Sequence, residues 1–163
     1  NCGMTSQMRT SATTFDMKVL FLDIDGVVNC KTTSQRHRGY IGIDPYLAFL
    51  VGKITLDVSD LNVVLSSSWR TFHDDGMEEI SKQVCPLFDI TPVLGRPAGT
   101  GIEYCERGRE IKAWLELHPN VEKYAIVDDE NDMLPEQQQH FFKTSWDTGI
   151  TPEIAAAITA HLL

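Results

Sequence analysis

Positive charge is scarce in this chain. Lys and Arg number 14 against 23 Asp and Glu, a net charge of −9. A protein that coats long duplex nucleic acid neutralises many phosphates with cations, and this composition argues against that class. It leaves room for a small anionic ligand held by a metal and a few local cations. Cysteines are few and scattered, at Cys2, Cys30, Cys85 and Cys105, with no CxxC among them. That pattern argues against a zinc site or a redox pair. Apolar runs are short, none long enough to span a membrane. No charged-then-apolar signal segment opens the sequence. The expectation is a reducing, cytoplasmic setting with free thiols. Internal repeats and low-complexity segments are also missing. The 163 residues fit one domain, long enough to bury a core without staples.

What is present is organised around residues 18–29, KVLFLDIDGVVN. The apolar run Val19–Leu22 leads into Asp23 and Asp25, then Gly26 and Asn29. An apolar run bounded by acids and a glycine reads as a buried central strand ending in a polar loop. Open α/β sheets bind ligands at that end of their strands. Two carboxylates so close raise each other's pKa unless a cation sits between them. Mg²⁺ suits the position, since it takes oxygen ligands from a few carboxylates and a substrate phosphate. The bland alternative is a pair of acids capping a turn before Gly.

Along the rest of the chain, residues 1–16 are Ser/Thr-rich and read as a flexible tail, with one domain over 17–163. The first strand covers about 17–24. Residues 29–43 are polar and locally basic (Lys31, Arg36, His37, Arg38), with two short β-prone pieces that suit a hairpin. Residues 44–54 read as a helix with Asp44 as N-cap and Pro45 at the first position. LNVVLSSSWR (61–70) is a second buried strand ending in three serines. A helix follows from Asp74 or Asp75 to about Val84. Segment 86–100 reads as irregular, with a short strand near Phe88–Ile90.

A helix spans 102–118, its firm part starting near Arg107. It carries Ile111, Trp114, Leu115 and His118 on one stripe. A third apolar strand at 123–133 runs into Asp128, Asp129 and Asp132. A fourth lies at 141–146, and a last helix at 151–162 begins with Thr151 and Pro152. Strands alternating with helices predict an α/β fold with a mostly parallel sheet and helices on both faces. Such a sheet delivers Asp23 and Asp25, the serines, and Asp128 and Asp129 to one edge.

Acids on two strand ends, hydroxyls on a third, and the cations Arg107, Arg109 and Lys112 nearby suit metal-assisted phosphoryl transfer. One Asp attacks phosphorus and forms an aspartyl-phosphate. A second protonates the leaving oxygen and then activates water. Mg²⁺ shields the anionic nucleophile from the phosphate, and a hydroxyl and a cation hold the remaining oxygens.

These residues resemble a known family. DIDGVVN, VVLSSS and IVDD are similar, in order and spacing, to three motifs of the haloacid dehalogenase-like (HAD) superfamily. LFLDIDGVVN, LSSSWR, RGxEIxxWL and DDxxDM further resemble the small HAD domains found in RNA-repair proteins. The resemblance implies a Rossmannoid three-layer sandwich. It makes Asp23 the nucleophile and Asp25 the general acid/base. It implies Mg²⁺ bound by Asp23, the Asp25 carbonyl, Asp128 and Asp129, with Asp132 the alternative second acid; Asp132 reads otherwise as the N-cap of the next helix. Ser67 is the first choice for the phosphate-binding hydroxyl. Ser66 and Ser68 stay open, because neighbours on a strand face opposite sides and the phase is not readable. Arg107 is preferred over Arg109 and Lys112 as the phosphate-binding cation, because it matches RGxEI.

Only a flap fits between the first motif and the second strand, so the cap is minimal and the site open to bulky substrates. Lys31, Arg36 and Arg38 on that flap are candidate contacts to further negative charge. Trp69 reads as core rather than as a base-stacking platform. His37, His73, His118 and His140 show no ligand spacing. The expected function is a Mg²⁺-dependent phosphohydrolase acting on a nucleotide or nucleic-acid terminal phosphate. The alternatives are a small-metabolite phosphatase, such as one for sugar phosphates, and a non-catalytic Mg²⁺-binding regulatory module. Oligomeric state is not legible.

Overall fold

The buried apolar run of the first strand sits at the middle of a five-stranded sheet. The computed structural model describes residues 15–95 and 105–163, apart from the side chain of Phe72. Most of the expected tail, the end of the irregular segment and the onset of the 102–118 helix lie outside the described residues. In chain order the elements are β1 (Met17–Leu22), β2 (Arg36–His37), β3 (Tyr40–Ile41), α1 (Pro45–Asp57), β4 (Leu61–Leu65), α2 (Trp69–Phe72) and α3 (Gly76–Gln83). They continue with β5 (Asp89–Ile90), α4 (Arg107–Glu116), β6 (Val121–Asp128), a 3₁₀ helix (Pro135–His140), β7 (Phe141–Lys143) and α5 (Pro152–Leu162). The sheet order is β5-β4-β1-β6-β7, with every neighbouring pair parallel. The fold is therefore α/β and Rossmannoid, with helices on both faces, as the resemblance implies.

Alternation along β1 separates two cores. Leu20 and Leu22 pack with Val63, Leu65, Ala125 and Val127 against α1 and α5. Val19 and Phe21 pack with Val64 and Ile126 against Ile111 and Trp114 of α4. The Trp114 ring meets Phe21 edge-on at 5.4 Å, and its Nε1 donates to Asp89 Oδ2 at 2.8 Å. Full burial on both faces explains why β1 is a continuous apolar run rather than an alternating one.

The helix starts follow their capping residues. The Asp44 carboxylate accepts from Tyr46 N at 2.9 Å and Leu47 N at 3.4 Å. Thr151 Oγ1 accepts from Ile154 N at 3.2 Å, with Pro152 at the first position. These bonds satisfy donors that a helix leaves unpaired at its N-terminus.

The strands end earlier than the sequence reading has them. β4 stops at Leu65, because Ser67 Oγ accepts from Trp69 N at 3.2 Å and turns the serines into the short helix α2. β6 stops at Asp128, whose Oδ1 accepts from Glu130 N and closes a turn. The 3₁₀ helix after it has no clear periodic signal in the sequence. The two β-prone flap pieces do pair, Arg36 with Ile41 and His37 with Tyr40.

Candidate active site

The carboxyl ends of β1, β4 and β6 lie side by side. The last registered pairs are Leu22 with Leu65 and Leu22 with Val127. One step further, Ser66 N donates to Leu22 O at 2.9 Å and Asp23 N to Val127 O at 3.1 Å. Asp23, Ser66 and Asp128 thus share one row on the α4 face, continuing Phe21, Val64 and Ile126. Ser67 has the opposite parity and continues Leu65 on the other face. Ser66 Oγ is buried and has no hydrogen-bond partner among the described residues. Ser67 Oγ is occupied by Trp69 N. Ser68 is exposed.

Asp23 is only 6 % exposed. Arg107 Nη1 lies 3.6 Å from its Oδ1, beyond hydrogen-bond range, and this nitrogen too is buried with no hydrogen-bond partner among the described residues. Burial opposes the Arg107 charge, but Asp23, Asp128, Glu110 and Asp132 outweigh it and raise its pKa. Arg109 instead pairs with Glu106 at 3.6 Å, and Lys112 faces Glu136 at 4.0 Å. Of the three candidate cations, Arg107 alone reaches the acids.

Carboxylate oxygens of Asp23, Asp128 and Asp129 all lie within 4.8 Å of one another. Burial pushes the Asp23 carboxyl up to about 6, with Arg107 pulling it down and Asp129 and Asp25 adding to the rise. Burial and then the Asp23 charge push Asp128 up to about 8. Asp129 is raised as well, chiefly by burial. Asp128 Oδ2 is buried with no hydrogen-bond partner among the described residues. Buried carboxylates that destabilise one another, with an orphaned oxygen among them, suit a hard divalent cation such as Mg²⁺. Gly26 belongs to this arrangement. It adopts φ +78°, and a Cβ there would stand 2.3 Å from Asp129 Oδ2.

Asp132 lies elsewhere. Its Oδ2 accepts from Arg107 N at 2.9 Å and its carbonyl from Gly108 N at 3.2 Å. It therefore caps α4, the helix before it in the chain. A Cβ on Gly108 would fall 2.7 Å from Leu134 N and 2.6 Å from Gln137 Oε1. The glycine lets the start of α4 press against this loop, which sets the position of Arg107. Gln137 Nε2 completes the contact by donating to Gly108 O at 2.8 Å.

Asp25, in contrast, is exposed. Its Oδ1 accepts from Asn29 Nδ2 at 2.8 Å and from the buried Trp69 Nε1 at 3.2 Å. Asn29 also accepts from Gly26 N at 2.9 Å and donates to Gly42 O at 3.0 Å. Trp69 is core, as expected, and also a positioning residue for Asp25. Thr144 Oγ1 donates to Gly26 O at 2.6 Å, tying the loop after β1 to the end of β7.

Sequence reasoning assigned no role to Asn29, Thr144, Gln137 or Glu110. Glu110, buried on α4, forms an ion pair with Arg70 of α2 and accepts from Leu94 N at 3.1 Å. The Glu of RGxEI was the one available signal. Lys143, in register with Asp128, also went unread.

The flap cations have local partners. Lys31 pairs with Asp147 at 2.8 Å, and Arg38 with Asp75 at 3.1 Å. Arg36 Nη1 donates to the carbonyls of Thr33 and Gln35 at 2.7 and 2.9 Å. His37 Nε2 also contacts Asp75, at 3.0 Å. His118 stacks on Trp114 with ring centroids 3.6 Å apart, and His140 contacts His161.

The chain belongs to the family described as the HAD domain in Swiss Army Knife RNA repair proteins, which matches residues 19–155. No curated protein and no solved structure matches. The family points to phosphatase-like chemistry and generally uses Mg²⁺. Among the described residues, no helix is long and apolar enough to cross a membrane.

Proposed function

We propose that the protein is a Mg²⁺-dependent phosphohydrolase that removes a terminal phosphate from a nucleotide or nucleic-acid end through an aspartyl-phosphate on Asp23. One observation carries this reading. Two buried donors with no hydrogen-bond partner among the described residues, Arg107 Nη1 and Ser66 Oγ, flank a buried carboxylate that also faces two further acids. Unpaired buried donors are costly, and a tetrahedral oxyanion beside Asp23 satisfies both. The same parity supports Ser66 ahead of Ser67 as the phosphate-binding hydroxyl. The name of the family supports a nucleic-acid substrate.

Asp23, Asp128 and Asp129, with the Asp25 carbonyl, would hold Mg²⁺, which neutralises charge between nucleophile and phosphate when bound. A carboxylate oxygen of Asp23 attacks phosphorus, and the bond from phosphorus to the ester oxygen breaks. Asp25 gives its proton to that oxygen. Asp25 then takes a proton from water as the water oxygen attacks phosphorus. The Asp23–phosphorus bond breaks, releasing inorganic phosphate and restoring the free carboxylate. Arg107 and Ser66 hold the other phosphate oxygens throughout. The intact Asp25, held by two donors, favours turnover over a purely Mg²⁺-binding module.

The test is phosphate release from nucleotides, end-phosphorylated oligonucleotides and sugar phosphates in the presence of Mg²⁺. Asp23→Asn should fold like the parent and lose turnover. Activity of Asp23→Asn within tenfold of the parent would remove the assignment.

A further inference from the structure

Beside Asp25 the surface opens into a cleft of about 220 Å³, lined by Asp25, Tyr40, Ile41, Trp69, His73 and Trp146. We propose that this cleft is a nucleobase site, receiving the base of the nucleotide whose ester oxygen Asp25 protonates, against the rings of Tyr40 and Trp146. The inference rests on the phosphohydrolase reading and narrows its substrate.

Position comes first. A general acid must lie within hydrogen-bond reach of the oxygen it protonates. The group attached to that oxygen therefore lies over the cleft that Asp25 walls. A nucleoside places its ring system within a few bonds of that oxygen.

The chemistry of the lining follows. Tyr40 is 55 % exposed and Trp146 41 % exposed, at the edge of a charged site. Beneath them Trp69 is 2 % exposed. It packs with His73 at 4.5 Å and His37 at 5.3 Å between ring centroids. Tyr40 meets His73 at 5.7 Å. Rings held in this way offer flat, stiff faces. Stacking on such faces binds bases with little preference among them.

The walls are tethered independently. His37 and Arg38 both reach Asp75, which docks the hairpin that carries Tyr40. Lys31 N donates to Trp146 O at 3.0 Å, and Gly149 N to Ser145 O at 2.7 Å, which hold the turn that carries Trp146. The flap cations are engaged by Asp75, Asp147 and backbone carbonyls. Recognition here is therefore by ring rather than by extra phosphate charge.

The shared chemistry is a base next to a terminal phosphate, on a free nucleotide or on a nucleic-acid end. The experiment compares kcat/KM, with Mg²⁺, for adenosine 5′- and 3′-monophosphate, ribose 5-phosphate, and 5′- and 3′-phosphorylated oligoribonucleotides. The better base-bearing substrate should exceed ribose 5-phosphate by about tenfold or more, the scale of one base stack. In Tyr40→Ala/Trp146→Ala that ratio should fall towards one, and in Tyr40→Phe/Trp146→Phe it should persist. Preference for the oligonucleotide would assign a nucleic-acid end, and preference for the mononucleotide a free nucleotide. Either supports the site.

A second arm needs no turnover. Adenosine monophosphate added to Asp23→Asn with Mg²⁺ should quench tryptophan fluorescence saturably, and ribose 5-phosphate should not. Phosphate release with a ratio near one, or a ratio unmoved by the double alanine variant, overturns the base site and spares the phosphohydrolase reading. Base-dependent binding to Asp23→Asn without phosphate release from any substrate in the parent does the reverse. Neither release nor binding overturns both.

Discussion

The two sides of Asp23 are built differently. On the α4 side, Asp23, Ser66 and Asp128 are buried and Arg107 is half-buried, and all four are positioned by strand register and one capped helix start. On the flap side, Asp25, Tyr40 and Trp146 are exposed, and they stand on a hairpin and turns held by side-chain tethers. Rigid strand ends suit the transferring phosphoryl group, which is the same in every substrate. A surface of loops suits the leaving group, which varies. Substitutions on the first side should affect all substrates alike, and those on the second should separate them.

The largest expected effect lies at the boundary between the two. Asp25→Asn removes the general acid and should lower kcat for a nucleotide by about 10²–10⁴-fold. With para-nitrophenyl phosphate, whose leaving group needs little protonation, the first step should survive. A burst of one equivalent of para-nitrophenol followed by slow turnover is the expected trace. Equal slowing of burst and steady state would assign Asp25 another role.

On the α4 side, Glu110→Ala should cost about 3–5 kcal/mol of stability, because it leaves Arg70 buried without its partner. Both side chains of this pair are only 6 % exposed. Urea unfolding measures the loss, and a change below about 1 kcal/mol would mean the pair acts like a surface contact.

The crowded acids imply a pH dependence with a definite sign. Asp23 and Asp128 have pKa values raised above the ordinary 3.8, to about 6 and about 8. The folded, metal-free protein therefore holds more protons than the unfolded chain between these limits. Its stability is greatest below about pH 4 as far as these two groups decide, and falls as pH rises through about 6 to 8. Melting temperatures in a chelator should drop across that window, and Mg²⁺ should restore them most at the alkaline end. A chelated protein whose stability rises from pH 5 to 8 would contradict this.

The smallest effect belongs to the flap cations. Neutralising Lys31, Arg36 and Arg38 together should change KM by less than about threefold for either a nucleotide or a sugar phosphate, since exposed paired charges are screened. A larger, salt-dependent rise for oligonucleotides would return charge to the recognition step.

Much of the site was legible because its acids end apolar runs. DIDG after VLFL and DD after YAIV mark strand ends wherever the strands lie, and a parallel sheet gathers such ends at one edge. The choice among Ser66, Ser67 and Ser68 was not legible. Three like residues in a row differ only by face, and face depends on pairing with β1. The flap looked like surplus positive charge because Asp75 and Asp147, which pair with Arg38 and Lys31, lie far along the chain. Trp69 read as core and is core, yet its indole nitrogen also holds Asp25.

The sequence by itself determined the strands, the helix caps, the family and the acids available for chemistry. Apolar runs, Asp–Pro and Thr–Pro helix starts, and a carboxylate before glycine are local signals, and each acts on its own neighbours. The tertiary structure alone decided that Asp132 caps α4, that Ser66 rather than Ser67 shares the row of Asp23, and that Arg38 and Lys31 meet Asp75 and Asp147. Those outcomes depend on contacts between residues distant in the chain. Burial and charge compensation at such contacts are properties of the assembled fold, which no window of sequence contains.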